Sequence, residues 1–231
     1  VLDLGSPSDD TVTAAKLNTD IISGQTALTA EPDDTDEFLV SDAGTIKRID
    51  YSLIKGGGRY TLLSSQIVSS AVSYVDFTNV FSTSYINYKI VFDRLRVSTD
   101  GTDLEFQNYT ASGLLTGSSD YAYGISQTRT NTSPSDANAT AAYIRVNHYG
   151  VGNASTETAA GEVIYFDPVG TGTSHHKLMI FTTTNADANG NAVGGFGNGR
   201  VYTTSALTGF RLKVASGNID SGRFFLYGAN D

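Results

Sequence analysis

The sequence predicts an all-β protein: an antiparallel β-sandwich, jelly-roll-like in its connections, preceded by an extended arm and a β-hairpin. Three observations lead to this prediction. Short runs of β-forming residues recur from Tyr60 onward, clusters of Gly, Ser, Thr, Asn and Asp separate them, and almost no helix is signalled after Gly58. An immunoglobulin-like sandwich is the alternative fold.

The first 35 residues are polar and are predicted to form the extended arm. One weak helical pattern lies over Thr13–Ser23, where Leu17, Ile21 and Ile22 cluster on one face and Gly24 follows as a stop. The arm is therefore expected to bury little apolar surface of its own.

A hairpin is predicted next, from Phe38–Ser41 and Thr45–Tyr51, joined by a three-residue link ending in Gly44. Alternation places apolar side chains on both faces of this hairpin. An isolated two-stranded hairpin is marginal in water, so we expect it to pack against other chains. The residues predicted to mediate attachment or oligomerisation are Phe38, Val40, Ile46, Ile49 and Tyr51.

Three consecutive glycines end the segment Lys55–Gly58 and predict a flexible joint. The domain boundary is placed there, so that residues 1–58 form the attachment arm and hairpin and residues 59–231 form the sandwich.

Ten strands are predicted in the sandwich, and several alternate clearly, as in Tyr88, Ile90 and Phe92. The polar segments Asn131–Thr140 and Asn185–Gly199 are predicted to be loops. The ten strands are Thr61–Ser69, Tyr85–Val97, Leu104–Tyr109, Tyr121–Thr128, Ala141–His148, Glu162–Phe166, Lys177–Thr184, Arg200–Thr203, Phe210–Val214 and Arg223–Tyr227.

Charge and composition exclude several classes of function. The net charge is -9, with eleven acidic and four basic residues in 1–58 and thirteen and eleven in 59–231. No basic stripe is available for nucleic acid, whose binding needs clustered Lys and Arg. The chain has no cysteine, and no apolar run approaches the roughly 20 residues that span a bilayer, so we expect no membrane insertion.

Metal and cofactor chemistry is not expected. The segment Asp187–Asn191 begins like an EF-hand loop, but Ala192 and Asn198 occupy the positions that need glycine and glutamate, so it is interpreted as a glycine-rich hairpin loop. The three histidines have no metal-binding spacing. They are His148, His175 and His176.

The sequence also has no motif for a nucleophile or a metal-dependent hydrolase, so we expect no enzymatic activity and assign no catalytic residue. Glycosidase carboxylates follow no fixed spacing, so a pair among four acidic residues stays open. These four are Asp103, Glu105, Glu157 and Glu162.

Aromatic residues beside loop segments provide one binding hypothesis, in which a sugar ring stacks on them while Asn and Asp bind its hydroxyls. The candidates for glycan binding are Tyr121, Tyr123, Tyr149 and Phe196. The favoured alternative is that these side chains pack at the rim of the sandwich or in a trimer interface.

Two segments carry a family resemblance. The acidic stretch EPDDTDE, followed by FLVSDAGTIKRIDYSLIKG up to Gly56, resembles a module of bacteriophage virion proteins, chiefly tail fibres and head fibres. The ending LTGFRLKVASGNIDSGRFFLYGAND, from Leu207, resembles the closing strand pair of phage fibre tips and decoration domains.

The resemblance implies a structural component of a phage virion, either a fibre or a decoration subunit, anchored by its N-terminal segment. It also implies other virion proteins as partners and a homotrimer. The alternative is a receptor-binding adhesin that recognises host-surface glycan, and an enzyme that degrades polysaccharide is a distant third. Placement on head or tail and the identity of a receptor stay open.

Overall fold

The computed structural model describes residues 23–55, 59–130, 132–133, 135–172 and 176–229. The chain divides into two compact units, Val1–Gly56 and Gly57–Asp231. The glycines at the predicted boundary lie outside the described residues, as does the helix predicted over Thr13–Ser23 apart from Ser23 itself.

The first unit contains the hairpin, with β1 at Glu37–Asp42 and β2 at Thr45–Asp50. The link is shorter than predicted, because Asp42 pairs with Thr45 and only Ala43 and Gly44 form the turn. Both have positive φ, 48° and 86°, which suits the right-handed twist of the flanking strands. Tyr51 is not in the return strand as predicted: it begins the short helix α1, Tyr51–Ile54.

The second unit is nearly all β in its described part, which confirms the predicted fold class. Its strands are β3 Tyr60–Val68, β4 Tyr74–Phe77, β5 Asn87–Val97, β6 Leu104–Thr110, β7 Gly113–Leu114, β8 Tyr121–Arg129, β9 Ser135–Ala141, β10 Ile144–Arg145, β11 Ala159–Phe166, β12 Lys177–Ala186, β13 Ala192–Val201, β14 Leu207–Val214 and β15 Ile219–Ala229.

These strands form two antiparallel sheets. The larger sheet has the order β3-β15-β5-β11-β12-β13-β8-β9, and the smaller has the order β10-β6-β14-β4, with β7 paired to β6. The strands β3-β15-β5-β11 and β4-β14-β6-β10 have the order of the two sheets of a jelly roll. Strands β12, β13, β8 and β9 extend the larger sheet beyond that eight-stranded framework.

The core lies between the two sheets and is rich in aromatic rings. Phe77 of β4 stacks on Phe210 of β14 at 4.9 Å, and Phe106 of β6 lies 5.8 Å from the same ring. Across the core, the side-chain amide of Asn108 in β6 donates to the hydroxyl of Tyr165 in β11 at 2.8 Å. This hydrogen bond connects the two sheets through the core.

Two predicted loops are strands. Strand β9 lies within Asn131–Thr140 and ends one residue beyond it, and β13 occupies most of Asn185–Gly199. The glycines of β13 have a packing reason: a Cβ on Gly197 would collide with the ring of Phe181 in β12. Conversely, the strand predicted over Ala141–His148 is reduced to the two residues of β10.

Candidate functional site

The hairpin has no core of its own. No described residue of the segment 23–55 is buried, and Leu39 and Ile46 are 79% and 67% exposed. The register puts Phe38 opposite Ile49 on one face and Ser41 opposite Ile46 on the other.

Four of the five predicted attachment residues therefore divide between the two faces of the hairpin, with Phe38, Val40 and Ile49 on one face and Ile46 on the other. The ring of Tyr51, from α1, lies 6.1 Å from that of Phe38. Leu39 was not among the predicted site residues, although alternation already placed it on the face opposite to Phe38 and Val40. The register shows that Ile46 shares its face. Both faces thus present apolar surface to water.

The predicted glycan-binding role is wrong for two of the four candidate residues. Tyr121 and Tyr123 lie on the inner face of β8 and are buried, so neither ring can stack on a sugar. The hydroxyl of Tyr121 donates to the carbonyl of Leu115 at 3.1 Å and accepts the backbone N–H of Asn108 at 2.7 Å. Burial raises the pKa of this phenol far above its ordinary value.

The other two candidates are accessible but do not share a site with them. Tyr149 is half-buried, and the guanidinium of Arg129 lies 4.7 Å from its ring centroid. Phe196 is 66% exposed on the outer face of β13. Phe196 thus belongs to the outer face of the larger sheet, which has a feature of its own.

That outer face carries an apolar patch over β11, β12 and β13. Cross-strand pairs place Phe166 beside Leu178 and Ile164 beside Ile180. With Phe196, these five side chains form what we call the apolar patch, and four of them are among the exposed large hydrophobic residues of the unit. Contiguous exposed apolar patches are typical of binding surfaces.

Beside the patch, the surface is recessed because the outward residues of β8 are small. Ala122 and Gly124 occupy these positions, and Ala137 of β9 lies opposite Gly124. The pairing of β8 with β9 is also interrupted by a bulge between Tyr121 and Tyr123, where a strand bends. The result is a groove of about 570 Å³. Its outward-facing residues include Ala122, Gly124, Ala137, Asn138, Phe166, Leu178, Ile180, Asn198, Arg200 and Tyr202.

Arg200 is the charged residue of this groove. It lies directly between Leu178 of β12 and Ala122 of β8, and its guanidinium lies 4.6 Å from the ring centroid of Tyr202. Within the described ranges, no carboxylate lies within 4.0 Å of it, and its Nε is shielded from solvent without a hydrogen-bond partner. Arg200 was predicted to begin a strand and was not among the predicted site residues.

The four acidic residues left open as a hydrolytic pair each have a partner. Their partners are Arg145 for Asp103 at 2.6 Å, Lys213 for Glu105, the backbone N–H of Ala154 for Glu157 at 2.7 Å, and Lys89 for Glu162 at 2.5 Å. Each of these carboxylates therefore makes a structural contact.

The segment Asp187–Asn191 joins β12 to β13, which confirms the hairpin-loop interpretation. The carboxylate of Asp187 accepts the backbone N–H groups of Asn189 and Asn191 at 2.9 and 3.0 Å and pairs with Arg129 at 2.5 Å. No group of three or more acidic or histidine side chains suited to a metal occurs among the described residues. His175 lies outside them.

Comparisons with known proteins returned no family model, no curated protein and no solved structure that matches this chain. In the part of the chain that the structure describes, no helix has the length and apolar character to cross a membrane.

Proposed function

We propose that the protein is a structural subunit of a bacteriophage virion, of the fibre or decoration type, attached through its N-terminal unit and carrying the jelly roll. The observation that supports this proposal best is that no residue of the hairpin is fully buried. Two strands with apolar residues on both faces need a partner to be stable, and a second copy or another virion protein would supply it.

The resemblance of the segment ending at Gly56 to a module of phage virion proteins gives the proposal its setting, and the jelly roll suits it because capsid domains often have this fold. In this proposal the subunit is a homotrimer, has no enzymatic activity and works in the virion. Its contribution is to stabilise or space the particle.

Hairpin substitutions in the full chain test this role. Leu39→Asp and Ile46→Asp place a charge on exposed apolar positions, so the second unit should keep its melting temperature while attachment is lost. Light scattering would give the molar mass, and co-purification with phage particles would give incorporation. The matched control is Ser52→Asp, which adds the same charge at an exposed polar position of the same unit, outside the hairpin.

We expect both apolar variants to fall to monomer mass or to lose incorporation, and the Ser52 variant to behave as the wild type. Unchanged mass and unchanged incorporation in both apolar variants would contradict the attachment role.

A second candidate function, recognition of glycan on a host surface, is favoured by the groove beside the apolar patch. Its aromatic rings, amides and arginine are groups that bind saccharides in water.

A further inference from the structure

The guanidinium of Arg200 has a binding capacity that the described part of the protein leaves unused. Arginine keeps its charge at every physiological pH and presents its donors in a planar fork that fits a carboxylate or phosphate. Its Nε is shielded from water and lacks a partner, which is unfavourable for a charged donor. An anion in the groove would give the guanidinium the charged partner that the described residues do not provide.

Two other arginines of the same unit show what a satisfied site looks like. Arg211 lies 3.6 Å from the ring centroid of Tyr74, and Asp76 accepts its Nε and Nη2, each at 2.7 Å. Arg129 lies over a tyrosine ring as well and pairs with Asp187. Arg200 has the tyrosine and lacks the carboxylate.

The rest of the groove fits a sugar better than a bare anion. Phe166 and Tyr202 expose 42% and 39% of their surface and offer faces for the C–H side of a sugar ring. The side-chain amide of Asn198 lies against Gly124 and makes no hydrogen bond within the described residues. Asn138 uses its oxygen to accept the N–H of Thr140, so its NH₂ group remains available for a hydroxyl.

The size of the groove supports the same conclusion. Its volume of about 570 Å³ lies within the range of roughly 300–1,000 Å³ that is typical of small-molecule sites. A lone carboxylate or phosphate would leave most of the floor formed by Leu178 and Ile180 in contact with water. An occupant that covers this floor must extend several ångströms beyond the charged group.

We propose that this groove binds an anionic saccharide, with its carboxylate or phosphate held by Arg200 and its ring lying on the apolar floor. The inference rests on the second candidate function, recognition of glycan, and is independent of the attachment role of the hairpin, because every residue that carries it belongs to the second unit. The near balance of charge there, thirteen acidic against eleven basic residues in 59–231, presents little net repulsion to such a ligand.

Calorimetric titration of the full chain at physiological salt would test the proposal. The probes are trisaccharides of equal length, one containing a uronic acid, one phosphorylated and one neutral, together with inorganic phosphate alone. We expect at least one of the charged trisaccharides to bind about tenfold or more tighter than the neutral one and than inorganic phosphate. Whichever charged probe binds more tightly identifies the source of the anion.

Variants assign the binding to Arg200. Arg200→Gln should lower the affinity for the charged trisaccharide by about tenfold or more, and Arg200→Lys should lower it less, because lysine keeps the charge and loses the fork. Arg94→Gln is the control, since it removes the same charge from an exposed arginine that does not line the groove. Melting temperatures of all variants would show that they are folded.

Four results would overturn the proposal. They are binding of no trisaccharide, equal affinity for the neutral and charged trisaccharides, inorganic phosphate binding as tightly as either charged trisaccharide, and equal loss of affinity in the Arg200 and Arg94 variants.

Discussion

Arg211 and Arg200 lie on the outer faces of the two opposite sheets, each over a tyrosine ring, and they differ in one respect. Arg211 has Asp76 directly across the strand pair, whereas the same position beside Arg200 is Ala122. The hydrogen bonds that Arg211 donates to the Asp76 carboxylate raise the pKa of the guanidinium above its ordinary value. Arg211 is therefore held in a structural ion pair, whereas Arg200 is available to a ligand.

Ion pairs occur on both sheets. Lys213 pairs with Glu105 on the smaller sheet, and Lys89 pairs with Glu162 on the larger sheet. The apolar patch and Arg200 have no comparable partners in the described part of the chain. Unused binding capacity, rather than charge or apolar character alone, therefore distinguishes the groove that we expect to bind a ligand.

The largest expected effect comes from removing the carboxylate of Asp76. This group is the partner of Arg211, and Arg200 has no equivalent among the described residues. Asp76→Ala removes the acceptor of two Arg211 hydrogen bonds and of the Tyr109 hydroxyl at 2.7 Å. We expect a loss of about 2–3 kcal/mol in the free energy of unfolding, measured by denaturant titration, because hydrogen bonds to charged groups contribute about 1.5–3 kcal/mol.

The control for this loss is Glu162→Ala, which breaks a more exposed pair with Lys89 on the larger sheet and should change stability by about 0–1 kcal/mol. Equal losses in the two variants would mean that the Asp76–Arg211 pair is not a structural feature of the smaller sheet.

The reverse change supplies Arg200 with a carboxylate. Ala122→Asp places it directly across the strand pair, as Asp76 is placed for Arg211. We expect a gain of up to about 1 kcal/mol in stability, since the new pair is partly exposed. In a titration, the affinity for an anionic saccharide should fall by about tenfold or more, because the new carboxylate pairs with Arg200 in place of the anionic group of the ligand.

Ala122→Ser is the matched control, since it keeps a small neutral side chain in the groove floor and should leave the affinity nearly unchanged. If Ala122→Asp binds the anionic saccharide as well as the wild type does, Arg200 is not the anion-binding group.

The smallest effect concerns pH at the third arginine–tyrosine pair. Burial raises the pKa of Asp187, but hydrogen bonds from Asn189 and Asn191 and the charge of Arg129 outweigh it and hold this pKa below its ordinary value. A carboxylate with a lowered pKa in the folded state stabilises the protein above the unfolded-state pKa, and this contribution is lost as pH falls through the folded-state value.

We therefore expect Asp187→Asn to lower the melting temperature at pH 7 and the difference from wild type to shrink below about pH 4. Thermal unfolding of both proteins from pH 7 to pH 3 measures it. A difference that stays constant or grows toward acid pH would contradict this sign.

The fold class could be predicted from sequence because alternation is a local signal. In β5, Tyr88, Ile90 and Phe92 alternate with Lys89 and Val91, and the strand lies almost where it was predicted. Strand β13 could not be predicted in this way, because its glycines are required by side chains of other strands, such as Phe181, that the local pattern does not reveal.

The candidate site was harder to predict, for a related reason. Alternation in β8 of Tyr121 and Tyr123 with Ala122 and Gly124 already contained the information that the tyrosines point inward and the small residues outward. Arg200 gave no such signal. That it lacks a carboxylate depends on which strands lie beside β13, and this pairing became known only from the structure.

The most direct test of this account is the unfolding free energy of the wild type, Arg200→Gln and Arg211→Gln, each with and without anionic saccharide. Without ligand, we expect Arg211→Gln to be less stable and Arg200→Gln to match the wild type. Ligand at 100 times its dissociation constant should add about 2.7 kcal/mol to the wild type and to Arg211→Gln, and much less to Arg200→Gln. Equal destabilisation of both variants without ligand, or equal stabilisation of both by it, would contradict the account.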